Sequence, residues 1–110
     1  MTSRHNDIAL PAMLSQAEQA ADFLKTLSNE KRLVILCHLL DNEHSVRSLN
    51  EKLPLSQSAL SQHLAVLRKD KLVKTRRDSQ TIYYSIADER VTLIIKTLHS
   101  LFCDNKDKQT

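Results

Sequence analysis

Three residues, "PLS" at 54–56, separate two leucine stripes and constrain this chain more than any other feature. Upstream, Val46, Leu49 and Leu53 recur at helical spacing and stop at Pro54, because the residue before a proline disfavours the α conformation. Downstream, Leu60, Leu64 and Leu67 form the next stripe. Ser56 suits its N-cap, since a serine hydroxyl can accept an orphan backbone N–H of the first turn. Leu55 and Leu60 hold the N′ and N4 positions of a hydrophobic staple. Two helices joined by so short a link make a helix-turn-helix, whose second member is predicted over 57–70.

The remainder is also mostly helical in pattern. There is no glycine, and proline stands only at 11 and 54, which disfavours a turn-rich β sandwich. Pro11 suits a first helical position, and Met13, Ala17, Ala20, Leu24 and Leu27 continue a helical stripe. "SNE" at 28–30 interrupts it with capping residues. A second helix over 30–41 is expected to bury Leu33, Val34, Leu36, Cys37 and Leu40. "DNEHS" reads as a loop, with Ser45 capping the third helix.

After the fourth helix the period changes from helical to two. Val73, Thr75, Thr81 and Ile82 are β-branched, Ile82, Tyr84 and Ile86 alternate with Tyr83 and Ser85, and "RDSQ" is a turn signal. A β-hairpin with a basic tip is predicted. Asp88 caps a last helix in which Val91, Ile94, Ile95, Leu98 and Leu101 are expected to face inward. The fold class is therefore mainly α with a small β-hairpin: four helices, a hairpin and a fifth helix, a winged helix-turn-helix. A chain of 110 residues suggests one domain. It is expected over 12–103, with a flexible arm at 1–11 and a flexible tail at 104–110. So small a core is often completed by dimerisation.

The fourth helix has an unusual chemistry. "SQSALSQHLAVLRK" (56–69) contains no acid, and the face opposite its leucines carries Ser58, Ser61, Gln62 and Lys69. A helix entering the major groove needs short hydrogen-bonding side chains and no carboxylate near phosphate, and glutamine pairs bidentately with adenine. Ser56 and Gln57 stand at the helix N-terminus, where hydroxyls, amides and backbone N–H groups can hold a phosphate. His63, at the flank of the leucine stripe, has two readings, DNA contact or packing. Net charge is only +3, yet "RKDKLVKTRR" (68–77) holds six bases and one acid. Arg68, Lys69, Arg76 and Arg77 thus form a basic patch running into the hairpin, suited to phosphate or a narrow minor groove.

Other functional classes fit less well. The longest apolar run, "LVILC" at 33–37, is far short of the ~18 residues a membrane span needs. Arg4 and His5 precede no apolar signal core, so a cytoplasmic protein without a membrane is expected. No glycine-rich phosphate loop, nucleophile elbow, C-x-x-C or metal cluster is present, so neither an enzyme nor a cofactor is expected. A winged helix that binds only protein is the alternative of a different class. It has little use for an acid-free helix and a basic wing.

"LSNEKRLVILCHLL", "LSQSALSQHLAVLRKDKLV" and "TIYYSI" resemble the ArsR/SmtB family of bacterial winged-helix repressors, over residues 15–103. The resemblance implies a homodimer built from the first and last helices, bound to palindromic operator DNA and released by an effector. One metal site of that family is a Cys cluster in the third helix, but "SVRSLNEKL" has no Cys. Another uses Asp and His on the last helices. Asp88 and His99 match two of its positions, while Arg90 and Phe102 stand where the other ligands belong. A zinc-type, metal-responsive repressor is thus the alternative reading.

The placement of Cys37 and Cys103 resembles the branch that includes the HlyU-, BigR- and SqrR-type regulators. That implies DNA binding in the reduced state and release when reactive sulfur species such as persulfides, or oxidants, link the two cysteines by a disulfide or polysulfide. It also implies either repression or anti-silencing of toxin genes. By residue chemistry, the apolar neighbours of Cys37 should raise its pKa, whereas Lys96 and His99 near Cys103 favour thiolate. A direct disulfide requires Cα atoms within about 7 Å.

Overall fold

The computed structural model describes residues 10–104. The chain runs through helices α1 (Leu10–Leu27) and α2 (Glu30–His38), strand β1 (His44–Ser45), helices α3 (Val46–Lys52) and α4 (Gln57–Lys69), strands β2 (Val73–Asp78) and β3 (Thr81–Ile86), and helix α5 (Glu89–His99). A π-helical turn, Ser100–Asp104, closes it. Leu10 and Pro11, expected in the arm, already belong to α1. Residues 1–9 of that arm, and 105–110 of the expected tail, lie outside the described residues.

Local chemistry starts the helices. The side chains of Asn29, Ser45, Ser56 and Asp88 each accept from a first-turn backbone N–H, of Arg32, Ser48, Ala59 and Arg90 respectively. The turn between α3 and α4 is pinned by Asn50, whose Nδ2 donates to the Leu55 carbonyl at 2.6 Å. Helix α4 ends in a Schellman motif: Leu72 N donates to Leu67 O at 2.9 Å and Lys71 N to Arg68 O at 3.0 Å. Glycine usually fills the left-handed position of this motif. Here Lys71 does so, with φ 64°.

The hairpin forms with Val73 opposite Ile86 and Asp78 opposite Thr81, leaving Ser79 and Gln80 as the turn. A third strand was not legible in the sequence. His44 and Ser45, expected in a loop, pair with Tyr84 and Tyr83, so the sheet order is β1-β3-β2. This also shortens α2, which ends at His38 rather than 41: the chain must turn at Leu39–Leu40 to reach β3.

The core is largely leucine. Leu36, Leu49, Leu60, Leu64 and Leu67 are fully buried with Ile35, and Val91 and Ile95 cover them from α5. Two expected core positions differ. Val34 is exposed and Ile35 takes its place, a matter of phase within a continuous apolar run. Leu101 is 54% exposed, because the π turn takes it off the α5 stripe. Helix α1 is exposed from Pro11 to Ala20 and is held chiefly at its end, where Leu27 is buried and the Thr26 hydroxyl donates to the Asp70 carboxylate.

Candidate nucleic-acid interface and cysteine pair

Helix α4 divides cleanly into two faces. Leu60, Leu64 and Leu67 are fully buried, while Ser58, Ser61, Gln62 and Ala65 are exposed on the other side. Burial of the leucine stripe fixes the rotation of the helix, so the hydroxyl and amide groups must point outward. At the N-terminus the Ser56 hydroxyl accepts from Ala59 N at 3.1 Å and lies 3.4 Å from the Ser58 hydroxyl, with Gln57 exposed beside them. Arg68 and Lys69 are exposed in the last turn.

His63 is half-buried against α2. Its burial, and then the charges of Arg32 and Lys31, hold its imidazole pKa below the usual range. A neutral, packed histidine results, with part of the ring still exposed.

The wing separates its two arginines. Arg76 and Arg77 are neighbours on β2 and so point to opposite faces of the sheet. Arg76 grips Glu43 through two hydrogen bonds and lies over the Tyr83 ring, 4.8 Å from its centroid. Arg77 is exposed. Glu43 had no signal in the sequence, because its link to Arg76 arises only when β1 adds to the sheet.

Asp88, one of the two positions of the zinc-type alternative, is otherwise engaged. Arg90 donates through Nε and Nη2 to the Asp88 carboxylate at 2.6–3.1 Å, and its guanidinium lies 4.9 Å over Phe23. This pairing holds the Asp88 carboxyl below the usual range. Among the described residues, no group of three or more His, Cys, Asp or Glu could hold a metal ion.

The cysteines come together. Both are free thiols, Cys37 half-buried in α2 and Cys103 exposed in the π turn. They line one apolar cleft of about 260 Å³ between α2 and α5, walled by Leu33, Ile95, Leu98 and Phe102. Burial, and then the nearby Cys103, push the Cys37 thiol pKa up. π-Helical turns occur frequently at functional sites because the extra residue re-aims side chains. Cys103 is therefore the accessible thiol and Cys37 the protected one.

Residues 29–75 match the family described as "Bacterial regulatory protein, arsR family". The chain is 51% identical over 94 residues to the transcriptional activator HlyU of Vibrio cholerae serotype O1, covering 86% of this chain and 87% of that protein. A structure described as reduced HlyU from Vibrio cholerae N16961 superposes with a TM-score of 0.81, covering 86% of this chain and 99% of that one. The biofilm growth-associated repressor of Agrobacterium fabrum is 41% identical over 97 residues, 88% of this chain and 83% of that protein. A homodimeric winged helix-turn-helix DNA-binding domain from Mycobacterium bovis, 28% identical, superposes with a TM-score of 0.70 over 80% of this chain and 82% of that one.

Proposed function

The chain belongs to the ArsR family of bacterial regulatory proteins, as a transcriptional regulator of its HlyU/BigR branch and not an enzyme, and on that premise we propose that it is a homodimeric operator-binding protein switched by sulfur chemistry at Cys37 and Cys103. The observation that carries the switch is the shared cleft: an exposed thiol and a half-buried thiol wall the same cavity.

DNA binding rests on α4 and the wing. Ser58, Ser61 and Gln62 read base edges in the major groove; Ser56, Gln57, Arg68, Lys69 and Arg77 contact phosphate, and His63 supports the helix from beneath. Arg76 contributes when it exchanges Glu43 for a phosphate. Dimerisation is supported by the apolar surface left exposed on a single chain, Met13, Leu14 and Leu24 on α1 and Leu93 on α5. It is supported too by the homodimer described for the mycobacterial relative. A two-fold dimer suits a palindromic operator. The relatives carry both activator and repressor names, so operator binding serves repression or anti-silencing alike. No helix among the described residues is long and apolar enough to cross a membrane, and a DNA-bound regulator works in the cytoplasm.

The switch has a balanced chemistry. The Cys103 thiolate attacks the sulfane sulfur of a persulfide R–S–SH, giving Cys103–S–SH and releasing R–S⁻. The Cys37 thiolate then attacks the Cys103 sulfur, forming the Cys37–Cys103 disulfide and expelling HS⁻. The persulfide is the oxidant and no other is needed. The bond ties α2 to the π turn that follows α5, a helix with apolar surface toward the dimer, and so alters the spacing of the two recognition helices. Half-sites one DNA turn apart tolerate little such change.

The zinc-type alternative is disfavoured by the Arg90 cation clamped on Asp88. Peptide mapping of protein treated separately with polysulfide, peroxide and Zn²⁺ tests the reading. A single-chain link between Cys37 and Cys103 after sulfur treatment is expected; unmodified cysteines would reject it.

A further inference from the structure

A second cavity, of about 640 Å³, adjoins the cysteine cleft, and Cys37 and His99 wall both. Its size falls within the range of small-molecule sites. Its lining is cationic. Lys52 reaches it from the end of α3 and Lys96 from α5, with imidazoles of His38 on α2 and His44 on β1; Asp41 is the one acid. The Regulator's DNA contacts as proposed above use none of these groups, and the thiol chemistry explains only Cys37.

The imidazoles are set for an anion. His38 Nδ1 lies 3.0 Å from the Val34 carbonyl, which can only accept, so this nitrogen carries the hydrogen. His44 Nδ1 is held by the Ser48 hydroxyl at 2.9 Å. Burial first, and then the repulsion of Lys52 and His38, hold the His44 pKa down. A bound carboxylate relieves that repulsion.

We propose that this cavity is a binding site for a small carboxylate-bearing anion, seated by Lys52 and Lys96, and that it selects sulfur donors by charge before they reach Cys103. The inference rests on the thiol-switch reading for its consequence, though not for the binding itself. A donor held by its carboxylate can extend its sulfane sulfur into the adjoining apolar cleft, where both thiols stand. Neutral oxidants such as hydrogen peroxide gain nothing from the cavity. Lys52 and Lys96 are then specificity-determining residues, acting before the bond-making step.

Two measurements on the full chain separate the site from the switch. First, the reduced protein is titrated calorimetrically with S-methylglutathione, which has the carboxylates but no exchangeable sulfur. Saturable binding is expected, lost in K52Q/K96Q and kept in K52R/K96R. Absence of binding in the wild type, or undiminished binding in K52Q/K96Q, overturns the site and leaves the switch untouched. Second, the rate of cross-link formation is compared for glutathione persulfide and its dimethyl ester. The acid should react at least roughly tenfold faster in the wild type, the scale of electrostatic focusing in a charged cleft. K52Q/K96Q should lose that preference, so that acid and ester react at equal rates with each other, whatever the absolute rate. Equal rates in the wild type overturn the selectivity. Binding without any cross-link from either donor overturns the switch and leaves the anion site standing.

Discussion

Arg76 holds Glu43 with both arms of its guanidinium, Nη2 at 2.7 Å from Oε2 and Nε at 3.0 Å from Oε1. Both side chains are substantially exposed, so water screens the pair and it adds little to stability. Its effect falls on DNA. The carboxylate sets the wing arginine's position and competes with phosphate for it. Glu43→Gln should therefore strengthen binding to all sequences and steepen the salt dependence, by up to about one unit of slope for one freed cation. Fluorescence anisotropy against salt concentration reads this; an unchanged slope means Arg76 does not reach DNA.

The α4 face makes a sharper claim. Ser61→Ala and Gln62→Ala should each weaken specific binding by roughly 1–3 kcal/mol and leave random duplex binding nearly intact. Arg77→Ala should weaken both and flatten the salt dependence. Competition titrations with operator and random DNA distinguish the two patterns.

Lys71 carries a backbone strain of roughly 1–2 kcal/mol, because a side chain at positive φ crowds the following carbonyl. Lys71→Gly should raise unfolding stability by about 1 kcal/mol in urea titration, since glycine adopts the Schellman position without that crowding. It also removes one charge from the basic patch, so DNA affinity should fall slightly while stability rises.

Acid should destabilise the fold in two stages. His44 and His63 have pKa values held below the usual imidazole range, so the unfolded chain takes up protons first. Their contribution is neutral at higher pH and becomes a loss as pH falls through the ordinary imidazole range, from about pH 7 to about pH 5. Asp88 has a lowered carboxyl pKa, so its stabilisation is complete above the ordinary carboxylate range and is lost as pH falls through the lowered value. Thermal melts should show both limbs, with His44→Gln and His63→Gln flattening only the upper one.

What was legible in the sequence was local. The "PLS" break and the caps at Ser45, Ser56 and Asp88 depend on near neighbours, and each formed as its chemistry required. The exposed polar face of α4 followed from three leucines at helical spacing. Most of the misses are long-range or matters of phase. The His44–Ser45 strand is too short to carry a pattern and exists because Tyr83 and Tyr84 offer it a partner. Val34 and Ile35 sit in one apolar run, where only packing decides which is buried. The shared cysteine cleft and the cationic cavity beside it depend on how α5 lies across α2, which no spacing in the chain specifies.

Dimerisation should respond to charge on the exposed apolar surface of α5. Leu93 is 66% exposed on the single chain, so Leu93→Glu should leave the monomer folded while raising the dimer dissociation constant. Operator binding should weaken in parallel. Analytical ultracentrifugation measures the first effect, and a dimer as tight as the wild type would move the interface away from this face.

The most direct measurement is operator affinity of four proteins, wild type, Cys37→Ser, Cys103→Ser and the double variant, before and after polysulfide and again after a thiol reductant. All four should bind alike when reduced, because neither cysteine lies on α4. Only the wild type should lose affinity with polysulfide and recover it on reduction, since the bridge needs both sulfurs and exchanges reversibly. A double variant that still releases DNA with polysulfide would contradict the account, as would a wild type that ignores sulfur species and releases only with Zn²⁺.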